Sequence, residues 1–281
     1  MMNRREFLAA AGAWAAGAAR RPAPPPFKLG MVTYNVAARW DLDTLLRVCK
    51  AAGFEAVELR TTHAHKVEPS LSADERRAVR RKFTEAGLVL WGLGSVCEFH
   101  APEPAVVRKN IETCRAFCQL AADLGARGVK VRPNALPKGV EPARTLEQIG
   151  KALAECGQAA AGLGVEIWVE VHGAGTSLPE NMRAILDHCG HRNVGVCWNS
   201  NGTDVKNGSI RESFDLLKKD IRSVHINELR GSYPYRELFA GLRSIGYDRV
   251  TLMEIGRAMD PEEGLKFMKE YRALWQELAE G

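Results

Sequence analysis

Four polar residues of metal-ligand type lie at the ends of four consecutive apolar segments in the second half of the chain. The segments are VEIWVEVHG (165–173), NVGVCWNSN (193–201), IRSVHINEL (221–229) and RVTLMEIG (249–256). The polar residues are Glu170, Asn199, His225 and Glu254. Carboxylate, imidazole and amide oxygen are suitable ligands for a divalent cation. Ligands from four strands meet only if the strands close into a barrel, so the pattern predicts both a chemistry and a fold.

The chemistry that such a set favours is a proton shift next to a carbonyl. A metal ion polarises the carbonyl and stabilises the negative charge that develops. A carboxylate on each face of the substrate, here Glu170 and Glu254, can remove a proton and return it. The formal charge of the set balances one divalent ion, and mixed oxygen and nitrogen ligation suits Mn²⁺, Mg²⁺ or Co²⁺, with Zn²⁺ also possible. Lys130 or Arg132 would steady a developing oxyanion or an acidic group of the substrate.

Short apolar segments alternate regularly with longer amphipathic segments, which predicts eight strand–helix units. The predicted strands are 27–35, 54–60, 88–95, 128–133, 165–172, 194–199, 221–227 and 249–256. The predicted helices are 41–52, 72–86, 104–124, 141–163, 178–189, 209–219, 234–245 and 261–279. This arrangement predicts a (β/α)8 TIM barrel in one domain. A doubly wound sheet is disfavoured, because no GxGxxG follows the first strand.

Strand alternation predicts which side chains face the barrel interior. Glu58 and Arg60 should point inward from the second strand, and Lys130 and Arg132 from the fourth. His172 shares a side of its strand with Glu170. Active sites of such barrels lie where the strands end, so these side chains are candidates for substrate binding. A mutual pairing of Lys130 and Arg132 with Glu58 is the alternative.

Composition and charge favour a globular domain and argue against a nucleic-acid-binding or membrane-spanning protein. The chain has 281 residues, of which 46% are hydrophobic and 26% charged, as in ordinary globular domains. The net charge of +5 is spread along the chain without basic runs flanked by aromatic residues, which argues against a nucleic-acid partner. No 18-residue apolar segment occurs in the body of the chain, so no membrane span is expected there.

The first 20 residues differ from the rest. MMNRREFLAAAGAWAAGAAR (1–20) places paired arginines before an apolar stretch and resembles a twin-arginine export signal, with a cleavage site near residues 16–18. A short N-terminal helix is the alternative. PAPPP (22–26) reads as a stiff linker, so we expect a signal and linker over 1–26 and a folded domain over 27–281, exported to the periplasm or beyond.

The seven cysteines form no CxxC and are interpreted as structural thiols.

Over roughly residues 27–279 the chain resembles the sugar phosphate isomerase/epimerase superfamily of xylose isomerase-like TIM barrels. The resemblance lies in KLGMVTYNV (28–36), AAGFEAVELR (51–60) and the four ligand-bearing strand ends. It implies that Glu170, Asn199, His225 and Glu254 bind one metal ion and that the two glutamates form the acid/base pair. It also implies a small carbohydrate substrate, touched by His172 and Arg230, and a possible homodimer.

Two departures from the family pattern leave other functions open. Asn199 stands where the family has Asp, and Gly202 where a His is common, so metal affinity should be weakened. A carbohydrate lyase or hydrolase using Glu254 or His172 as base is one alternative, and a sugar-binding protein with a degraded metal site is another. An endonuclease-IV-like protein is disfavoured, because no Asp-x-His follows the seventh strand.

His63 and His65 form an HxH pair after the second strand, and we expect them to face substrate or solvent rather than a metal.

Overall fold

The computed structural model describes residues 24–280, so the predicted export signal lies outside the described residues. The strands are β1 (Lys28–Asn35), β2 (Ala56–Arg60), β3 (Val89–Glu98), β4 (Gly128–Arg132), β5 (Glu166–Glu170), β6 (Val194–Asn199), β7 (Ile221–Ile226) and β8 (Val250–Ile255). The helices are α1 (Leu42–Ala52), α2 (Ala73–Ala86), α3 (Pro104–Leu124), α4 (Pro142–Ala161), α5 (Pro179–Cys189), α6 (Arg211–Leu217), α7 (Tyr235–Ser244) and α8 (Pro261–Glu280). A single 3₁₀ turn, Gly202–Asp204, follows β6 within the described part of the chain.

The strands form a closed parallel barrel in chain order, with β1 paired to β8. Each strand is followed by a helix, and the fold is a single (β/α)8 TIM barrel, as the sequence predicts. The register across the closing seam places Met31 beside Met253. All eight strands therefore run in one direction, and their carboxyl ends meet at one rim.

Local signals in the sequence set the ends of the helices. The Asp41 side chain accepts a hydrogen bond from the Thr44 amide (2.8 Å) and caps α1. Ser72 and Glu75 form the predicted capping box at the start of α2. Gly53 ends α1 with φ of 75°, a left-handed conformation that a side chain would disfavour.

The lower half of the barrel interior is filled by aromatic and aliphatic side chains. Trp91 and Trp168 stack with ring centroids 5.2 Å apart, and Val32, Ala56 and Leu252 belong to the same cluster. This plug closes the barrel from below and leaves the upper layer to polar residues.

Two glycines make room for the Trp168 ring. A Cβ atom added at Gly92 or Gly128 would lie 2.5 Å or 2.4 Å from ring atoms of Trp168. Glycine at these two positions of β3 and β4 therefore leaves the space that the ring occupies.

The seven cysteines are all buried free thiols, which agrees with a structural interpretation. Within residues 24–280, no helix combines the length and apolarity that crossing a bilayer requires.

Candidate metal centre

The four predicted ligands lie on β5 to β8, in the layer above the tryptophan plug. Glu170 and Asn199 end β5 and β6, and His225 and Glu254 stand one residue before the ends of β7 and β8. The register pairs Asn199 with His225 across the β6–β7 ladder. The strands thus place all four side chains at the same rim.

Three of these residues converge on a common centre. The Nδ1 atom of His225 lies 3.6 Å from Oε1 of Glu170 and 3.4 Å from Oε2 of Glu254. One ligand atom of each residue lies within 4.8 Å of the other two. Ligands about 2.0–2.2 Å from one ion have separations of this size.

Asn199 joins the group through its amide. Its Nδ2 donates a hydrogen bond to Oε1 of Glu170 (3.0 Å). Its carbonyl oxygen Oδ1 is buried and has no hydrogen-bond partner among the described residues. A buried acceptor without a partner costs free energy, and a cation at the centre would satisfy it.

Glu58 fixes the orientation of the His225 ring from the opposite side. Nε2 of His225 is hydrogen-bonded to Oε2 of Glu58 at 3.2 Å, and both side chains are completely buried. A carboxylate on Nε2 keeps the proton there and leaves Nδ1 free. Nδ1 has no hydrogen-bond partner within residues 24–280, as expected of a nitrogen that ligates a metal. The residues therefore fit a divalent cation.

Lys130 compensates part of the negative charge. Its Nζ donates to Oε2 of Glu170 (2.7 Å), and both side chains are almost fully buried. Burial by itself would raise the pKa of Glu170, but Lys130 and His225 outweigh burial and hold it well below its usual range. Burial likewise opposes the charge on Lys130, and the carboxylates of Glu170, Glu58 and Glu254 raise its pKa instead. Glu170 is therefore an anion held in place by a cation.

The pKa of His225 is also strongly perturbed. Burial disfavours its charged form, yet the carboxylates of Glu254 and Glu58 raise its pKa well above the ordinary value. Burial raises the pKa of the Cys197 thiol to about 11, so that thiol stays neutral at physiological pH. Without a metal ion the His225 ring therefore also carries a proton on Nδ1, facing Glu170 and Glu254, and a bound cation would take the place of that proton.

The predicted substrate-binding residues lie at different depths. Arg132 forms an ion pair with Glu98 at the end of β3, and His172 is half-buried just beyond Glu170, its Nδ1 without a partner among the described residues. Arg230 is exposed in the loop after β7. The alternative pairing with Glu58 is not formed, because Lys130 and Arg132 contact Glu170 and Glu98 instead.

The two histidines after β2 have separate roles. His65 uses both ring nitrogens inside its own loop, Nε2 with the Arg60 carbonyl (2.9 Å) and Nδ1 with the Val67 amide (3.0 Å). Nδ1 of His63 is hydrogen-bonded to the hydroxyl of Thr33 (2.9 Å). Burial, with Arg60 and His65 nearby, lowers the pKa of His63 to about 4, so its ring is neutral. The pair does not converge on a metal.

Sequence patterns missed two features of the rim. Tyr34, which alternates with Val32 on β1, lies under the Arg60 guanidinium, 5.3 Å from ring centroid to Cζ. Strand alternation could have predicted that Tyr34 shares the inner face of β1 with Val32. Asp204, buried in the 3₁₀ turn, accepts a hydrogen bond from the Tyr233 hydroxyl (3.0 Å) and has no comparable sequence signal.

A family model described as "Xylose isomerase-like TIM barrel" matches residues 46–271. The chain belongs to this family. The sequence resemblance to xylose isomerase-like barrels is thereby confirmed. No curated protein matches the chain.

Solved structures of the xylose isomerase-like fold cover most of the chain. A D-psicose 3-epimerase solved in the presence of D-fructose is 17% identical with a TM-score of 0.74, covering 90% of this chain and 100% of its own. The IolI protein with a bound zinc atom is 17% identical with a TM-score of 0.76, over 90% and 98%. The 3-keto-D-glucoside 4-epimerase YcjR from E. coli, in its apo form, is 15% identical with a TM-score of 0.71, over 87% and 98%. At such identities the likeness establishes the fold.

Proposed function

We propose that the protein is a divalent-metal-dependent isomerase or epimerase of small carbohydrates. The observation that carries the proposal is the convergence of Glu170, His225 and Glu254 on one centre, with Nδ1 of His225 left free by Glu58. Sugar epimerases among the solved structures of the same fold support it.

Glu170, Asn199, His225 and Glu254 would hold the cation. When bound, a divalent ion such as Mn²⁺, Mg²⁺ or Co²⁺, or else Zn²⁺, supplies Lewis acidity that polarises a substrate carbonyl. Glu58 is fully buried behind the His225 ring, and it acts by positioning that ring rather than by touching substrate.

The two glutamates differ in their surroundings, and this difference suggests how they share the proton transfer. Glu254 keeps 13% of its side chain exposed, against 3% for Glu170. Glu254 is therefore accessible from the mouth of the barrel, whereas Glu170 is held by its ion pair with Lys130. Each would remove or return a proton on its own face of the substrate. His172, Arg132, Arg230 and His63 are the candidates for contact with the sugar.

Metal binding and proton exchange test the proposal separately. Elemental analysis and Mn²⁺ titration should give about one ion per chain, lost in Glu254→Ala. Incubation with ketoses in D₂O should place deuterium on the carbon next to the carbonyl, detected by NMR. Glu170→Gln and Glu254→Gln should each lower the exchange rate by at least ~100-fold, because one proton acceptor is removed.

Glu228→Gln is the matched control, since Glu228 is an exposed carboxylate in the loop after β7. It should leave both measurements unchanged. Protein that binds no divalent ion, or that exchanges protons undiminished without Glu170 and Glu254, would contradict the proposal.

A sugar-binding protein with a degraded metal site is the second candidate. Asn199 brings one negative charge less than Asp would, and Lys130 already neutralises part of Glu170. Tight sugar binding with no metal and no deuterium incorporation would favour this candidate.

Export by the twin-arginine route remains a proposal that rests on residues 1–20. Fractionation of producing cells, followed by N-terminal sequencing of the recovered protein, tests it. Arg4→Lys together with Arg5→Lys should retain the protein in the cytoplasm with residues 1–20 attached.

A further inference from the structure

Arg60 is a cation on the inner face of the barrel, and among the residues that the structure describes its charge has no carboxylate partner. It ends β2, two residues beyond Glu58, and both side chains belong to the inward-facing set of that strand. A Cβ atom added at Gly94 would meet both Oε1 of Glu58 (2.9 Å) and Cα of Arg60 (3.4 Å). Two residues of strand span about 7 Å, so Arg60 stands one layer above the Glu58–His225 pair.

The contacts of the Arg60 guanidinium are weak. Its Nη1 donates to the Thr61 carbonyl and to Nε2 of His63, each at 3.4 Å. It makes no ion pair with any carboxylate of residues 24–280. The neighbouring His63 has a lowered pKa and is neutral, so it does not supply the missing charge. Half-buried guanidinium groups normally have stronger partners.

The other inward-facing cations of the described chain are already paired. Lys130 is held by Glu170, and Arg132 by Glu98. Arg60 instead rests on the ring of Tyr34, with Cζ 5.3 Å from the ring centroid. Such stacking fixes the plane of the guanidinium and leaves its hydrogen-bond donors available.

We propose that Arg60, seated on Tyr34, binds an anionic group of the substrate, a carboxylate or a phosphate, so that the enzyme acts on an acidic sugar rather than a neutral one. A guanidinium fork matches both kinds of anion through paired charge-assisted hydrogen bonds. The metal centre below would receive the carbonyl end of the same molecule. This inference rests on the proposed function and names its substrate class.

The test compares three ligands at one ionic strength, each with and without Mn²⁺. The ligands are D-fructose, D-fructose 6-phosphate and 5-keto-D-gluconate, and their affinities for the full chain are measured by calorimetry. The wild-type protein should bind at least one anionic ligand ~10-fold or more tightly than D-fructose. The tighter of the two anions identifies phosphate or carboxylate as the preferred group.

Variants assign this preference to Arg60. Arg60→Ala should abolish it, Arg60→Lys should restore part of it, and Tyr34→Leu should weaken it while keeping the charge. Arg39→Ala removes an exposed arginine at the same rim and should leave the preference intact. Circular dichroism and Mn²⁺ affinity of the variants should match those of the wild type.

Several outcomes would overturn the inference: no measurable binding of either anion, equal affinity for neutral and anionic ligands, or a preference that survives Arg60→Ala. An equal loss in Arg39→Ala would also overturn it, because it would indicate nonspecific charge attraction. Mn²⁺ binding and proton exchange without anion preference would sink this inference and leave the proposed function standing. An anion preference that depends on Arg60, in a protein that binds no Mn²⁺, would contradict the proposed metal-dependent function and leave the anion-binding role of Arg60 standing.

Discussion

Asn199 serves two purposes that a carboxylate could not serve together. Its Nδ2 donates to Glu170, and its Oδ1 remains available as a ligand atom. An aspartate there would place a second carboxylate against Glu170, which is unfavourable without a cation and favourable with one. The amide therefore stabilises the metal-free centre at the expense of metal affinity.

Asn199→Asp should accordingly lower the stability of the metal-free protein and raise that of the Mn²⁺-bound protein. Without metal, the variant should melt at a lower temperature than the wild type, because the hydrogen bond becomes a repulsion. Its affinity for Mn²⁺ should rise about tenfold with the added negative charge. Differential scanning fluorimetry with EDTA and with Mn²⁺ measures both effects. Equal melting shifts in EDTA and in Mn²⁺ would contradict this account of Asn199.

Glu58 provides a second prediction at the level of single residues. Glu58→Ala should weaken Mn²⁺ binding by about 10–100-fold, because the His225 ring loses the partner that orients it. Glu58→Gln should recover much of that loss, since its amide oxygen can still accept from Nε2. Glu55→Gln, at an exposed position just before β2, is the control. A Gln variant as weak as the Ala variant would indicate that Glu58 acts through its charge alone.

The sequence predicted strands and helices accurately because periodicity reports the barrel directly. β6 is predicted without error, and α6 is shorter than its predicted span because Ser209 and Ile210 precede the helix and Lys218 and Lys219 lie in the turn that follows it. Strand alternation predicts that Lys130 and Arg132 point inward. It does not predict their partners, because these depend on how neighbouring strands, whose residues are distant in the chain, are aligned with one another. The role of Glu58 was missed for the same reason, since it meets His225 across the barrel interior.

Two loops at the rim are joined by a buried carboxyl group. Oδ2 of Asp204 accepts from the Asn201 amide (2.9 Å) and from the Tyr233 hydroxyl (3.0 Å), which also accepts from the Trp198 indole (3.0 Å). Burial raises the pKa of Asp204 to about 7, despite those two hydrogen bonds. The loop after β6 is thereby tied to the loop that carries Arg230.

The raised pKa of Asp204 predicts how stability varies with pH. The folded state holds its proton up to about pH 7, whereas the unfolded chain loses it near pH 4, so this group's contribution falls as pH rises from 4 to 7. Asp204→Asn should remove that fall and gain up to about 4 kcal/mol over the wild type above pH 7. Urea denaturation at pH 5 and pH 8 measures the difference. Asp248→Asn, at an exposed turn, should not change it, and identical pH profiles for wild type and Asp204→Asn would contradict the assignment.

The barrel as a whole is divided into a polar upper layer, an aromatic plug and a charged lower end. At the lower end Glu166 binds Arg127 on one side (2.7 Å) and Arg249 on the other (2.7 Å), and it accepts from the Trp168 indole (2.9 Å). These contacts join β5 to the segments that lead into β4 and β8, two places in the barrel that are not adjacent to each other. The carboxylate therefore acts as a clamp beneath the tryptophan plug.

This clamp predicts the acid limit of the whole fold. Burial alone would raise the pKa of Glu166, but Arg249, Trp168 and Arg127 outweigh it and lower the pKa to about 2. The folded state thus keeps the carboxylate ionised when the unfolded chain takes up a proton near pH 4.5, so the stabilisation is complete above pH 4.5 and is lost as pH falls to 2. Glu166→Gln should cost roughly 3 kcal/mol at pH 7 and flatten the stability profile between pH 4.5 and 2, as measured by urea denaturation across that range. Glu147→Gln removes an exposed carboxylate paired with Lys151 and should cost much less stability, because solvent screens exposed ion pairs. If both variants lost stability equally, or if the acid slope of Glu166→Gln matched that of the wild type, the stability of the lower end of the barrel would not depend on this carboxylate.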